Sequence, residues 1–139
     1  MHLVLDSNEF IFSFGTERDP SSVKLLVEIS LRPEVYSLSI CRPIIDEVGR
    51  HLQHRQLSEV YGFLDILGIG IDERWIVPFE FAERYAQRGL KSGDAFIAGY
   101  TEWVGADCLI SENRADIVSQ AALFPFKVCT AEQFLKKHR

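Results

Sequence analysis

Ser92-Gly93-Asp94-Ala95-Phe96-Ile97-Ala98, followed by Gly105-Ala106-Asp107-Cys108-Leu109-Ile110-Ser111, is the stretch that decides how this chain folds. Ser92 or Gly93 opens a helix that carries Asp94 and is predicted to run to about Val104. Asp107 to Ile110 is a short apolar run bounded by a glycine turn, the mark of a strand covered on both faces. A helix feeding a buried strand is half of a repeating βα unit, and the rest of the chain supplies the other halves.

Upstream, His2 to Leu5 reads as a short buried strand, followed by a helix from Glu9 to Phe14 that Gly15 ends. Ser21 and Ser22 offer N-caps for the amphipathic Val23-Lys24-Leu25-Leu26-Val27-Glu28-Ile29, closed by Pro33. Tyr36 to Ile40 is a second strand, after which Pro43 occupies the first turn of a helix through Glu47 to about Gln53. A helix from about Leu57 to Leu67 stops at Gly68 and Gly70. Trp75-Ile76-Val77 reads as a short strand before Pro78, and Phe79 to Gln87 as a helix. Downstream, Asp116 to Leu123 reads as a helix and Phe126 to Cys129 as the last strand. Thr130 caps a C-terminal helix with Gln133 in the capping-box position. Alternating short apolar strands and helices predict an α/β fold: one domain over 1–139, a three-layer α/β/α sandwich with a mostly parallel central sheet.

Composition bounds the function. The chain has 139 residues, 47% hydrophobic and 25% charged, with a formal net charge of -5. That suits one domain with a sizeable core. No run reaches the roughly 18 apolar residues of a membrane span, and the opening lacks a secretory layout, so a soluble, cytoplasmic protein is expected. Cys41, Cys108 and Cys129 are odd in number and widely spaced, which favours buried reduced thiols over a disulfide or a zinc site. An acidic balance ordinarily disfavours nucleic acid as a partner, but the argument weakens when the acids are gathered in a metal site. The basic clusters Arg84-Arg88-Lys91 and Lys136-Lys137-His138-Arg139 read as solvated helix faces.

Three acids sit in poor places for surface charge. Asp6 ends Leu3-Val4-Leu5, Glu47 lies within Ile44-Ile45-Asp46-Glu47-Val48, and Asp94 opens its helix. Residues this far apart meet if the strands lie parallel, because parallel strands share one carboxyl-end rim. Bare carboxylates about 4 Å apart repel by roughly 4 kcal/mol at an effective dielectric near 20. A cluster of them therefore points to a bound divalent cation, and oxygen-only ligands favour magnesium or manganese.

In these residues the chain resembles a PIN domain, the metal-dependent ribonuclease fold that includes the toxins of many bacterial and archaeal toxin-antitoxin pairs. Leu3-Val4-Leu5-Asp6-Ser7-Asn8 is similar to the family's opening strand ending in Asp-x-Asn. Ile44-Ile45-Asp46-Glu47-Val48 is similar to its glutamate-bearing helix, and the stretch from Ser92 to Ser111 is the strongest match. Val128-Cys129-Thr130-Ala131-Glu132-Gln133-Phe134-Leu135 resembles the close of a toxin subgroup. The pattern departs at Ser111-Glu112-Asn113, where many members carry Thr-x-Asp. The resemblance implies that Asp6, Glu47 and Asp94 hold Mg2+ or Mn2+, with Asn113 or Asp116 at the fourth corner and Glu112 next in line. It further implies that Asn8 orients a ligand carboxylate, that Ser7 and Ser111 line the substrate path, and that Arg114 clamps phosphate or lies at the surface.

Other motifs carry less. His51-x-x-His54 lacks a cysteine or carboxylate partner at zinc spacing, so these histidines read as solvated or facing a helix end. Gly68-Ile69-Gly70 lacks the third glycine and preceding strand of a dinucleotide site. A haloacid dehalogenase would need a second aspartate where Asn8 stands.

The expected function is a divalent-metal-dependent endoribonuclease hydrolysing RNA phosphodiester bonds, the toxin of a toxin-antitoxin pair; the alternative is a catalytically weakened PIN-like module that binds RNA or protein. Expected partners are an RNA substrate, an antitoxin anchored on Phe10 and Phe14, and a second copy of the chain, with Phe10, Ile11, Phe12 and Phe14 offering aromatic surface.

Overall fold

A computed structural model of the chain describes residues 1–74 and 79–138. In chain order the elements are β1 (His2–Leu5), α1 (Ser7–Phe14), α2 (Pro20–Leu31), β2 (Ser37–Cys41), α3 (Arg42–His51), α4 (His54–Ile66), β3 (Ile71–Asp72), α5 (Phe79–Gln87), α6 (Ser92–Trp103), β4 (Cys108–Ile110), a 3-10 helix (Val118–Leu123), β5 (Lys127–Cys129) and α7 (Ala131–Lys137).

The sheet has the order β3-β2-β1-β4-β5, and every pairing is parallel. Central β1 carries Leu3, Val4 and Leu5, none more than 2% exposed. Both faces of that strand are covered, and burying each such side chain is worth about 2 kcal/mol. On one side α1 packs against α2, α3 and α4, and α2 against α7; on the other, α5 packs on α6, which reaches β4. The expected three-layer α/β/α sandwich is therefore the observed fold, with the sheet wholly parallel.

Topology then places the site. The chain runs outward from β1 to β2 and β3, then returns to pair β4 on the opposite side of β1. Val4 lies between Ser39 of β2 and Leu109 of β4. Where strand order reverses, the loops leave in opposite directions and a crevice opens at the carboxyl ends of β1 and β4.

Local chemistry explains most boundaries. α1 begins at Ser7 rather than Glu9 because Asp6 serves as its N-cap, accepting from the Ser7 amide at 2.8 Å. α2 begins at Pro20, with Asp19 as cap in place of Ser21 or Ser22; the Asp19 carboxylate accepts from Ser21 N at 2.8 Å. Proline at the first helical position donates nothing, so no bond is lost there. α4 starts earlier than expected, at His54, through a reciprocal cap between Gln53 and Gln56. The expected Thr130–Gln133 capping box is present at α7. Gly68, at φ +68, adopts the left-handed geometry that ends α4.

Other expectations need correction. The residues after β4 form no α-helix from Asp116; Asn113 instead turns the chain, its Oδ1 accepting from Asp116 N at 3.2 Å, and a 3-10 helix follows from Val118. Side-chain capture of a backbone amide competes with helix propagation. The strand expected at Trp75-Ile76-Val77 lies outside the described residues, while Ile71 and Asp72 pair with Ile40 and Cys41 as β3. Within the aromatic segment of α1, Phe10 is buried while Ile11, Phe12 and Phe14 are half-buried. Phe10 is 1% exposed, and Phe14 packs edge-on against Phe63 of α4 with ring centroids 6.0 Å apart. No helix among the described residues is long and apolar enough to cross a membrane.

Candidate metal centre

Four elements bring the acids together. Asp6 leaves β1 and caps α1, Glu47 lies mid-way along α3, Asp94 stands in the first turn of α6, and Asn113 follows β4. Asp6, Glu47, Asp94 and Asn113 line one cavity of about 300 Å3, with Ser7 and Asn8 on its wall. Proline within the first turn of α3 and the helical register of Arg42–His51 present Glu47 to the crevice while Ile44, Ile45 and Val48 are buried.

Asp6 is held from two directions. Its Oδ1 accepts from Ser7 N, and its Oδ2 accepts from Ser111 Oγ at 2.8 Å. Ser111 is fully buried, and its oxygen also accepts from Asn113 N at 3.1 Å. Burial nevertheless raises the Asp6 pKa above the ordinary carboxylate value; the two hydrogen bonds oppose this, and the negative charges of Glu47 and Asp94 add to it. Burial likewise raises Asp94, with the Asp116 carboxylate next; Lys91 and the Asn113 amide pull it down, and Glu47 adds a smaller push upward. Mutual repulsion among acids in one pocket is what a hard cation relieves.

Donor chemistry fits a divalent ion, since the cavity presents carboxylate and amide oxygens and no sulfur or imidazole. Asp6, Glu47 and Asp94 are the side chains that could hold it. Among the described residues no three His, Cys, Asp or Glu side chains stand ready around a common ion centre. The acids converge on one cavity without being drawn to ligating distance.

The remaining expected residues divide. Asn113 Nδ2 donates to Asp94 Oδ1 at 3.4 Å, so its amide offsets charge on that carboxylate. Asp116 lies outside the cavity lining, and its carboxylate stands 3.5 Å from Lys91 Nζ. Glu112 is committed elsewhere: its Oε2 accepts from Ala131 N at 3.0 Å, where α7 begins. Asn8 lines the cavity, but among the described residues the hydrogen bonds that fix Asp6 come from Ser7 and Ser111. Arg114 is exposed and away from the lining.

Arg50 is the cation that the sequence reading missed. It lines the cavity from α3 and has no ion-pair partner among the described residues. The signal was its spacing, three residues after Glu47 and hence on the same helical face. Glu9 was missed as well. It is 0% exposed, accepts from Ser22 Oγ at 3.1 Å, and leaves Oε2 without a hydrogen-bond partner among the described residues. Burial first, and then the adjacent Glu112 carboxylate, push its pKa up to about 10, so it is neutral at physiological pH.

Two other features take their expected places. His51 Nδ1 donates to Glu47 O at 2.9 Å, a helix-end contact. Arg84, Arg88 and Lys91 are exposed, as expected of a solvated face, although Arg84 also pairs with Glu102 at 2.6 Å and Arg88 donates to Leu123 O at 3.0 Å. A larger groove, about 810 Å3, lies along β5 and α7. The convergent carboxylates lie in the smaller cavity and not in this groove.

No protein-family model and no curated relative matches the chain. Two solved structures share its fold. One is VapBC2 from Rickettsia felis bound to a DNA fragment from its promoter, with a TM-score of 0.62, 17% identity, and coverage of 93% of this chain and 97% of that one. The other is FitAcB from Neisseria gonorrhoeae, with a TM-score of 0.57, 17% identity, and coverage of 94% and 98%. At this identity the likeness establishes a common fold over nearly the whole chain.

Proposed function

We propose that this chain is a divalent-metal-dependent endoribonuclease and the toxin of a toxin-antitoxin pair. The observation that carries the reading is the convergence of Asp6, Glu47 and Asp94 on one cavity at the point where strand order reverses. The PIN-like sequence pattern supports it, as does the shared fold with VapBC2 and FitAcB, both toxin-antitoxin complexes.

Asp6, Glu47 and Asp94 would hold Mg2+ or Mn2+, with the fourth corner at Asn113 or Asp116. The ion, when bound, supplies positive charge to the scissile phosphate and acidifies a water for attack. Ser111 and the Ser7 amide fix the angle of Asp6, which a shifting carboxylate would otherwise lose. Arg50 lies where it can neutralise a phosphate entering the cavity, a role the sequence offered to Arg114 alongside a surface one. Ser7 lines the same entrance.

The experiment is cleavage of a mixed RNA pool with and without magnesium or manganese. Activity is expected only with the ion present, and Asp6→Asn or Asp94→Asn should each lower it by about a hundredfold or more. Cleavage that persists in excess chelator would remove the reading. Growth arrest on induction, relieved by a co-expressed neighbouring small protein that co-purifies, tests the toxin role separately.

A second reading rests on Asn113, whose amide donates toward Asp94 where many PIN domains carry another carboxylate. In it the chain is a weakened PIN-like module that binds RNA or protein. Calorimetric metal binding without RNA cleavage would favour this reading.

A further inference from the structure

Cys108 and Cys129 were expected to be separate buried thiols, yet the fold sets them side by side. Parallel pairing places Cys108 opposite Lys127 and Ile110 opposite Cys129, so the two cysteines lie diagonally on one face of neighbouring strands. Their sulfurs are 3.7 Å apart. Both line the groove of about 810 Å3, together with Lys127, Lys137 and His138. Cys108 is 3% exposed, whereas Cys129 is half-buried at the end of edge strand β5. Cys41 is fully buried and lies outside this groove.

We propose that Cys108 and Cys129 form an oxidant-sensitive thiol pair, a modification site at which a hydroperoxide entering the groove converts the two thiols to a disulfide. The Cys129 thiolate attacks the peroxide; the O–O bond breaks, an alcohol or water departs after taking up a proton, and Cys129 becomes a sulfenic acid. The Cys108 sulfur then attacks the Cys129 sulfur. The S–S bond forms as the S–O bond breaks, and the departing hydroxide leaves as water with the Cys108 proton. In sum, two thiols and one hydroperoxide give one disulfide, one alcohol and one water.

The division of labour follows from the surroundings. The hydrogen bond shared with Cys108 lowers the Cys129 pKa, and Lys137 and Lys127 favour its thiolate, while burial opposes them. Cys108 is 3% exposed and Cys129 half-buried, so a hydroperoxide in the groove reaches Cys129 first, which suits Cys108 to resolve rather than initiate. A disulfide is opened again by thiol exchange, so the product is a reversible modification. Oxidation of the pair does not depend on nuclease activity.

The test treats the native protein with hydrogen peroxide at equimolar ratio and then maps its peptides without reduction. The expected result is a Cys108 peptide joined to a Cys129 peptide, restored to thiols by dithiothreitol, with Cys41 still alkylated after denaturation. Cys129→Ser should slow peroxide consumption about tenfold or more, and Cys108→Ser should leave Cys129 as sulfenic or sulfinic acid. Recovery of both thiols unreacted, conversion of Cys129 to sulfinic acid beside a free Cys108, or oxidation of Cys41 at the same rate would overturn the proposal. Peptide mapping of the unsubstituted chain decides the question even if a serine variant misfolds.

Discussion

Ser111 Oγ donates to Asp6 Oδ2 at 2.8 Å, joining residues 105 apart in sequence. The bond spans the ends of β1 and β4, the two strands between which the crevice opens, and it fixes the Asp6 carboxylate at the cavity.

Ser111→Ala removes that donor and also the acceptor for Asn113 N. A buried hydrogen bond to a charged group is worth about 1.5–3 kcal/mol, so stability should fall by about that amount at neutral pH. RNA cleavage should fall about tenfold or more while RNA binding changes little. Denaturant titration and cleavage kinetics check the two effects. Unchanged cleavage would show that Asp6 needs no second anchor.

In the proposed metal site, Asn113 and Asp116 are the two candidates for the fourth corner. If Asn113 occupies it, Asn113→Asp should tighten metal binding and raise cleavage at low magnesium, and Asp116→Asn should matter little. If Asp116 turns in, Asp116→Asn should lower cleavage by about a hundredfold. Metal titrations of the two variants decide between them, and no effect from either would place the corner elsewhere. Lys91, now 3.5 Å from the Asp116 carboxylate, would have to give up that contact in the second case.

Arg50→Ala should raise the KM for RNA more than it lowers kcat, since Arg50 lines the cavity without belonging to the acidic set. Exposed Arg114→Ala should have a smaller effect than Arg50→Ala. Steady-state kinetics on one RNA substrate separate the two, and equal effects would return Arg114 to the substrate path.

Glu9 gives a pH signature. Its folded pKa is about 10 against an ordinary 4.5, raised first by burial and then by Glu112. Below the unfolded value both states are protonated and the contribution is fully present. Above it the unfolded chain releases a proton that the folded chain retains, so stability falls as pH rises toward the folded pKa. Melting temperature in the presence of chelator should therefore decline between about pH 5 and about pH 9. Glu9→Gln should flatten that decline, raising Tm at the alkaline end by a few degrees, about 3 °C for each kcal/mol recovered. The same slope in both proteins would mean that another group carries it.

Local chemistry made much of the chain legible in advance. Apolar runs such as Leu3-Val4-Leu5 and Cys108-Leu109-Ile110 report burial on both sheet faces, and the Thr130–Gln133 box reports a helix start; both act over a few residues. The acids at Asp6, Glu47 and Asp94 were visible because each interrupts or adjoins such a pattern. Asp19 was missed as a cap because Ser21 and Ser22 offered equivalent oxygen acceptors, and only the backbone path chooses among them; Asp6 was read as a metal ligand and not as a cap.

By itself the sequence determined the alternation of buried strands and amphipathic helices, hence a layered α/β domain, because periodicity and capping are local properties of the chain. Only the tertiary structure decided that Ser111 reaches Asp6, that Arg50 enters the acidic cavity, that Glu9 is sealed beside Glu112, and that Cys108 meets Cys129. Each of those depends on strand order or on the face a helix turns inward. These follow from packing the whole chain at once, and no short window of residues contains them.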